Sequence, residues 1–276
     1  MSEATHRAAV AERAARAGGV VAEEAFRGDL TIEAKESPTD VVSNADREAQ
    51  QQVVATIAQE FPTATVVCEE DAPPVGAEGI EVAESVPGSG PAWVIDPIDG
   101  TANFVREIGF WATSVAAVVD GEPVAGASAM PATNDIYTAG PESVSRNDEP
   151  MAVSERDDLA EFAIGTTGRW STSDPTTPTA IVREVSERFG DSRRFGCIQG
   201  LLALVAAGGM DGAIMPDPPN AWDSLAGVHL VRRAGGRATT LSGDRFTDGD
   251  ENLIVSNDTR HDAVLDAARA ALLDLE

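Results

Sequence analysis

The sequence predicts an α/β protein whose N-terminal half is α+β and whose C-terminal half is α/β. Apolar residues recur at helical spacing near the N-terminus, and short runs rich in valine and alanine, typical of buried strands, follow them. Beyond residue 150, strand-like and helix-like segments alternate, which is the pattern of an α/β domain. The turn-rich stretch 140–150 separates the two patterns, so we expect two domains, residues 1–145 and 146–276.

The first half begins with a predicted long helix over residues 3–27, where alanine, valine and phenylalanine share one face. A second helix is predicted to begin near Asp46, which can serve as its N-cap, and to end at Pro62. The acidic segment 71–90, rich in glycine, proline and alanine, is predicted to be a mobile surface loop. We predict strands at residues 64–68, 91–95, 111–120 and 123–130.

The second half alternates between the two kinds of element. We predict helices at residues 176–189, 197–207 and 259–274, and a further helix that begins at Trp222 or Asp223 and ends at Gly235 and Gly236. The predicted strands lie near residues 193–195 and at residues 211–216 and 252–257.

The acidic composition narrows the class of partner. The formal net charge is −26, with 46 aspartates and glutamates against 19 arginines and a single lysine, Lys35. These acidic residues are spread along the whole chain, which is typical of adaptation to a salt-rich cytoplasm. Such a surface argues against nucleic acid as a partner, because a polyanion is repelled by it.

Other classes of protein are also disfavoured. No run of about 18 apolar residues occurs, and the N-terminus lacks the apolar core of a signal peptide, so we expect a cytoplasmic protein that does not span a membrane. Cys68 and Cys197 form no paired-cysteine metal motif and are predicted to be buried free thiols. The three histidines, His6, His229 and His261, match no metal-ligand spacing and are predicted to be structural.

Carboxylates follow several of the predicted strands at the point where each strand ends. Glu69 and Glu70 follow the strand at 64–68, Asp96 and Asp99 follow the strand at 91–95, and Asp223 follows the strand at 211–216 after a proline-rich loop. Ligands of α/β sheets bind beyond the carboxyl ends of strands, so these acids are expected to meet there. Crowded carboxylates repel each other unless a cation lies among them, and Mg²⁺ prefers oxygen ligands of this kind.

The residues between the two aspartates fit a metal and phosphate site. Pro97 restricts the backbone, and the carbonyl of Ile98 can be a further oxygen ligand. Gly100 allows the backbone to approach a ligand, and N–H groups at Thr101 can bind phosphate if a helical turn begins there. A metal beside a phosphate site predicts phosphoryl transfer, here hydrolysis.

Four motifs resemble those of the inositol monophosphatase family, which are Mg²⁺-dependent, lithium-sensitive phosphatases of the fructose-bisphosphatase fold. "IDPIDGTANF" resembles its first signature, and "WDSLAGVHLVRRAGG" resembles its second. "DVVSNAD", residues 40–46, is similar to D-x-V-T-x-A-D with Ser43 in place of threonine, and "CEE" is similar to G-E-E. The motifs run in the family's order from Lys35 to Asn257. The resemblance implies a layered αβαβα sandwich and a homodimer.

The resemblance also implies a role for each matching residue. Glu69, Asp96 and the Ile98 carbonyl would hold one metal, and Asp96, Asp99 and Asp223 a second. Asp46 and Glu69 would approach a weaker third metal through water. Thr101 and Asp46 would orient the attacking water with Glu70 behind them, and the N–H groups of Gly100 and Thr101 would hold the phosphate. Lys35 falls near the site in relatives, and its role stays open.

The chain departs from the family pattern around the leaving group. Family members that hydrolyse inositol phosphates carry G-T/S-A-A where this chain has Gly196-Cys197-Ile198-Gln199. They also carry an acid seven residues before the W-D aspartate, where this chain has Pro216 with Asp217 beside it. Both positions contact the alcohol part of the substrate in the family. We therefore predict an altered pocket that includes Lys35, Cys197, Gln199 and Asp217.

The predicted function is a Mg²⁺-dependent phosphomonoesterase acting on inositol-1-phosphate or a related sugar phosphate. Mn²⁺ is expected to substitute for Mg²⁺, and Li⁺ to inhibit. Fructose-1,6-bisphosphatase is the first alternative, and nucleotide 3',5'-bisphosphatase is the second. The third is a regulatory binding protein without activity, which should have lost a metal ligand, and this chain retains them all.

The acidic surface should make stability depend on salt. Debye lengths fall to about 3 Å at molar salt, so repulsion among surface carboxylates is screened there. We expect the melting temperature to rise steeply between low and molar KCl, as followed by circular dichroism. A melting temperature that stays flat over this range would contradict the interpretation that the chain is adapted to salt.

Overall fold

The computed structural model describes residues 2–34, 41–71, 78–167 and 175–273. Lys35, one of the predicted pocket residues, lies outside these ranges. The helices are α1 (Glu3–Ala25), α2 (Asn44–Glu60), α3 (Thr101–Phe104), α4 (Thr176–Arg188), α5 (Ile198–Ala206), α6 (Ala221–Arg233) and α7 (His261–Leu273). No helix within the described ranges is both long enough and apolar enough to cross a membrane.

The strands form two main sheets and a small pair. In chain order they are β1 (Ile32–Ala34), β2 (Val41–Ser43), β3 (Thr65–Cys68), β4 (Glu81–Val82), β5 (Pro91–Asp99), β6 (Ala112–Val119), β7 (Glu122–Met130), β8 (Asp135–Ala139), β9 (Val144–Arg146), β10 (Glu149–Pro150), β11 (Ala163–Thr166), β12 (Asp191–Arg193), β13 (Gly212–Met215), β14 (Arg237–Thr239) and β15 (Leu253–Ser256). The larger sheet has the order β10-β9-β8-β7-β6-β5-β3-β4, the smaller sheet β12-β11-β13-β15-β14, and β1 pairs with β2.

The elements stack in five layers, αβαβα, as predicted. Helices α1 and α2 cover one face of the eight-stranded sheet, where Val10 and Val53 pack against Trp93 and Val115. The pair α5 and α6 lies between the two sheets, and α4 and α7 cover the outer face of the five-stranded sheet. At Gly126 of β7 an added Cβ would come 2.9 Å from the carbonyl oxygen of Ala226, so α6 lies directly on the larger sheet.

The start of α2 corrects the capping prediction. The N-cap is Ser43, and Asp46 is the third helical residue of a capping box. The Ser43 backbone N–H donates to Oδ2 of Asp46 over 2.9 Å, and the Ser43 hydroxyl donates to the same atom over 2.6 Å. Asp46 was therefore placed at the right helix end but in the wrong capping position, because both residues are good cap formers at the sequence level.

Several other elements differ from the sequence predictions. Residues 81–82 of the predicted loop form the edge strand β4, and the strand predicted near 193–195 lies at β12, two residues earlier. Strands β8 to β11 and β14 were not predicted, because they are short and follow turn-rich sequence. Both cysteines are free thiols; Cys197 is buried, whereas Cys68 is half-buried.

His261, at the start of α7, is buried between two hydroxyl groups. Its Nε2 lies 2.8 Å from Oγ1 of Thr239, and its Nδ1 lies 2.8 Å from Oγ of Ser256. Burial, helped by the charge of Arg237, lowers the pKa of His261 to about 4. The ring is therefore neutral in the folded protein over most of the pH range, in keeping with a structural role.

Acid should destabilise the fold through His261. The unfolded chain, with an imidazole pKa near 6.5, takes up the proton first, so the stability that the neutral ring provides is complete above 6.5. As the pH falls from 6.5 to about 4, this stability is lost, and the free energy of unfolding decreases by about 3 kcal/mol. Urea denaturation of the wild type and of His261→Gln, which does not titrate, should show a flatter pH dependence for the variant. Two parallel pH profiles would refute this.

Candidate functional site

The site begins at the carboxyl end of β5, which carries two of the predicted ligands. Strand β5 runs parallel to β3 and antiparallel to β6, and its pairing with β6 is irregular between Asp96 and Asp99. The Thr113 hydroxyl donates to the Pro97 carbonyl over 2.7 Å and fixes the irregular segment. The predicted turn after residue 95 is thus an irregularity within a longer strand.

Asp96, Asp99 and Asp223 come together as predicted. Each offers a carboxylate oxygen, and these three oxygens lie within 4.8 Å of one another. Asp96 is only 1% exposed, and its Oδ1 has no hydrogen-bond partner among the described residues. Burial raises the pKa of Asp96 well above its ordinary value, and the charges of Glu69, Asp99 and Asp223 raise it further. A buried oxygen without a partner among like charges is what a cation site requires.

Asp99 is bound by the start of α5. Its Oδ2 accepts from the Cys197 thiol over 2.9 Å and from the Gln199 N–H over 2.5 Å, while Oδ1 accepts from the Ile198 N–H over 3.1 Å. Burial and then the charge of Asp223 raise the pKa of Asp99 to about 7, against the lowering effect of these hydrogen bonds. A carboxylate from the first sheet therefore caps a helix of the middle layer.

Thr101 and Asp46 lie next to each other beside the cluster. Oγ1 of Thr101 lies 3.2 Å from Oδ1 of Asp46 and 3.0 Å from the Ile98 carbonyl oxygen, either of which can accept its proton. Asp46 is fully buried, and this burial raises its pKa despite the hydrogen bonds from Ser43. The hydroxyl, the carboxylate and the carbonyl oxygen thus converge on one point.

Gly100 allows the chain to pass close to the start of α5. Its φ of 89° is in the left-handed region, and an added Cβ would come 3.0 Å from both the Cys197 Cβ and the Gly196 carbonyl oxygen. Helix α3 starts at the next residue, Thr101. Any residue with a side chain at position 100 would be strained and would push α5 away from the site.

The remaining predicted residues have distinct environments. Glu69 is half-buried and close to Asp96, whereas Glu70 is buried, with its backbone N–H and C=O both bonded to the side-chain amide of Gln50. Cys197 faces Asp99. Gln199 is fully buried, and its amide bonds the backbone of α6, so its side chain faces that helix. Asp217 is exposed in the loop between β13 and α6.

Sequence reasoning missed three amide side chains that support the site. Gln50 holds Glu70, and Asn220 donates to Oδ2 of Asp223 over 2.8 Å. Asn103 donates to the carbonyl oxygens of Phe110 and Phe195 over 2.8 and 2.7 Å, so it ties α3 to the segment before α5. Asn220 lies three residues before Asp223, and this is a helix-cap spacing that could have been found in the sequence. Glu70, the partner of Gln50, and Phe195, a partner of Asn103, are distant in sequence, so these contacts could not have been found.

Comparisons with known proteins agree on one family. A sequence model of the inositol monophosphatase family matches residues 3–273. "Nus factor SuhB" of Pasteurella multocida is 32% identical over 238 residues, 85% of each chain, and "Fructose-1,6-bisphosphatase/inositol-1-monophosphatase" of Aquifex aeolicus is 32% identical over 266 residues, 94% of each. The solved structure of an IMPase of Thermotoga maritima superposes with a TM-score of 0.84 at 28% identity, covering 96% of this chain and 97% of that one.

The cluster makes a prediction about the metal-free protein. Because the pKa of Asp96 is raised in the fold, its stabilising effect is complete below the pKa of the unfolded chain and is lost as the pH rises through the raised folded-state pKa. Asp96→Asn should therefore be at least as stable as the wild type in chelator at pH 8, as measured by thermal melting. The stabilisation on adding Mg²⁺ or Mn²⁺, which follows the ratio of ligand concentration to Kd, should shrink in the variant.

Asp211 provides a matched control because it is equally buried but satisfied. Its carboxylate accepts from Ser154 Oγ, from Nη1 of Arg156 over 2.9 Å and from the Ala163 N–H over 2.8 Å. Asp211→Asn should lose about 1–3 kcal/mol and keep the metal response. An Asp96→Asn variant that melts as low as Asp211→Asn in chelator and responds to metal like the wild type would make Asp96 a structural acid.

Proposed function

The chain belongs to the inositol monophosphatase family and is by that membership a phosphatase, and we propose that it is a Mg²⁺-dependent phosphomonoesterase for inositol-1-phosphate or a related sugar phosphate. The observation that carries this proposal is the cluster of the buried Asp96 and Asp99 with the half-buried Asp223, in which Oδ1 of Asp96 lacks a partner among the described residues. Oxygen ligands alone, with crowded negative charge, favour Mg²⁺ or Mn²⁺ over softer metals.

The proposed ligands fall into two sets that share Asp96. Glu69, Asp96 and the Ile98 carbonyl would hold one ion, and Asp96, Asp99 and Asp223 a second. Asp46 and Glu69 would approach a weaker third position through water. When bound, Mg²⁺ would act as a Lewis acid on the phosphoryl group and lower the pKa of water. Metal would also relieve the repulsion that, after burial, raises the pKa values of Asp96 and Asp99.

Thr101 and Asp46 are proposed to orient the attacking water. The Thr101 hydroxyl donates to Oδ1 of Asp46 or to the Ile98 carbonyl, which leaves its oxygen free to accept a hydrogen bond from water. Asp46 then holds the proton that leaves along this path, and its raised pKa makes it a better acceptor than an ordinary aspartate. Glu70, fixed by Gln50, supports the position of Glu69.

The phosphate and the alcohol are proposed to bind to different groups beside the cluster. The N–H groups of Gly100 and Thr101, at the left-handed turn, would hold phosphate oxygens. Asp217, exposed in the loop before α6, would contact the hydroxyl groups of the alcohol. Cys197 lies beside Asp99 at the edge of this pocket. Its thiol stays neutral, because burial raises the pKa of the thiol well above its ordinary value.

The relatives name the alternatives that an assay must separate. One relative is called a fructose-1,6-bisphosphatase/inositol-1-monophosphatase, which makes fructose-1,6-bisphosphate the second candidate substrate. Another is called a Nus factor, so a regulatory binding protein remains an alternative. The three carboxylates remain together in this chain, and that favours catalysis over a purely regulatory role.

Phosphate release from a substrate panel tests the function. We expect turnover of inositol-1-phosphate or another sugar monophosphate in Mg²⁺ or Mn²⁺ at high KCl, complete loss with chelator, and weaker turnover in Li⁺. Fructose-1,6-bisphosphate and a nucleotide 3',5'-bisphosphate serve as competing substrates. Undiminished release after exhaustive chelation would overturn the metal mechanism, and metal binding without any turnover would establish a binding protein instead.

Thr101 gives the matched variants for this assay. Thr101→Val keeps the shape of the side chain and removes the hydroxyl. Because the attacking water then loses its path for proton transfer, kcat should fall by about a hundredfold, which is within the range that general acid–base catalysis contributes. Thr101→Ser keeps the hydroxyl and should retain most of the activity. Equal activity of the two variants would exclude the role of Thr101 in orienting water.

A further inference from the structure

We propose that Gln199 is a positioning residue that holds Asp99 and Asp223 at the spacing of the second proposed metal position. The inference rests on the proposed function and deepens it, because it assigns the geometry of that metal position to a residue that coordinates nothing. Asp99 lies in β5 and Asp223 lies in α6, and their like charges push the two elements apart. Some contact must oppose this repulsion in the absence of metal.

The side chain of Gln199 is bonded to the helix that carries Asp223. Its Nε2 donates to the Trp222 carbonyl over 2.5 Å, and its Oε1 accepts from the Gly227 N–H over 2.7 Å. Trp222 immediately precedes Asp223. Both backbone groups belong to the first two turns of α6, so the amide spans the turn on which Asp223 stands. Displacing that turn would break two buried hydrogen bonds.

The backbone of the same residue is bonded to the other carboxylate. The Gln199 N–H donates to Oδ2 of Asp99 over 2.5 Å, next to the Ile198 N–H on Oδ1. One residue therefore contacts the Asp99 carboxylate through its main chain and the Asp223 turn through its side chain. Gln199 is fully buried, and water cannot replace either contact.

Close packing of α5 against α6 makes this link rigid. At Gly227 an added Cβ would come 2.5 Å from the Cβ of Leu202 and 2.8 Å from Oε1 of Gln199. The Leu202 side chain and the Gln199 amide therefore lie directly against the α6 backbone at Gly227. A change in its length or polarity must move α6 relative to Asp99.

The test compares Gln199→Met with Asn257→Leu. Met has nearly the shape of glutamine without its hydrogen bonds. Asn257 is also a buried amide, donating to Ser154 Oγ over 2.9 Å and to the Arg156 carbonyl over 3.0 Å, but it lies near the carboxyl end of α6, at the opposite end of that helix from Asp223. Both variants should melt lower than the wild type in chelator. Only Gln199→Met should bind Mn²⁺ about tenfold more weakly by titration calorimetry of the full-length protein.

Activity adds a readout that general destabilisation would not change. The kcat of Gln199→Met should be low at limiting Mg²⁺ and should recover as Mg²⁺ is raised, whereas Asn257→Leu should behave like the wild type at both concentrations. Wild-type Mn²⁺ affinity in Gln199→Met would overturn the inference and leave the proposed function intact. A wild type that binds no Mn²⁺ and releases no phosphate would instead overturn the proposed function.

Two further measurements keep the test decisive if Gln199→Met fails to fold. Gln199→Ala carries the small residue that the family pattern has here, and it should show the same weaker Mn²⁺ binding. In the wild type, Mn²⁺ should slow hydrogen exchange of the Gly227 N–H several-fold, because coupling between the metal position and this turn is reciprocal. Unchanged exchange at Gly227 on saturation with Mn²⁺ would contradict the link.

Discussion

The repulsion among carboxylates buried where the two sheets face each other is the constraint on which the rest of the structure depends. Asp96, Asp99 and Asp223 would each be more stable apart and in water, yet the fold holds their oxygens within 4.8 Å. Burial raises the pKa values of Asp96 and Asp99, and this repulsion raises them further. A protein that keeps such a cluster must stabilise it by other contacts, and must gain from the cation that relieves it.

Those other contacts are mostly backbone groups and neutral amides. The start of α5 gives two N–H groups and a thiol to Asp99, Asn220 donates to Asp223, and the Ser43 backbone and hydroxyl bind Asp46. Neutral donors hold each carboxylate in place without cancelling its charge. An arginine in their place would have formed an ion pair and removed the attraction for metal.

The same contacts join the two sheets. Asn103 reaches from α3 to the segment before α5, Asp99 reaches from β5 to α5, and α6 lies between the sheets and carries Asp223. The site is therefore built from both halves of the chain and lies in their contact surface. Ligands that bind there stabilise the contact between the halves as well as the site itself.

The sequence alone determined the fold class, the family and the identity of the clustered acids. Period and turn chemistry are local, so α1, α2 and the strands β3 and β5 to β7 could be predicted, and the motif around Asp96 and Asp99 marked the site. Tertiary structure alone decided what those acids contact. Ser43 rather than Asp46 caps α2, and the sequence did not separate these two good cap formers. Strand β5 continues through Pro97 and Gln199 turns toward α6, because each of these depends on a partner distant in sequence. Local sequence patterns contain no information on such partners. In the folded protein, however, each buried polar group requires a hydrogen-bond partner, wherever that partner lies in the sequence.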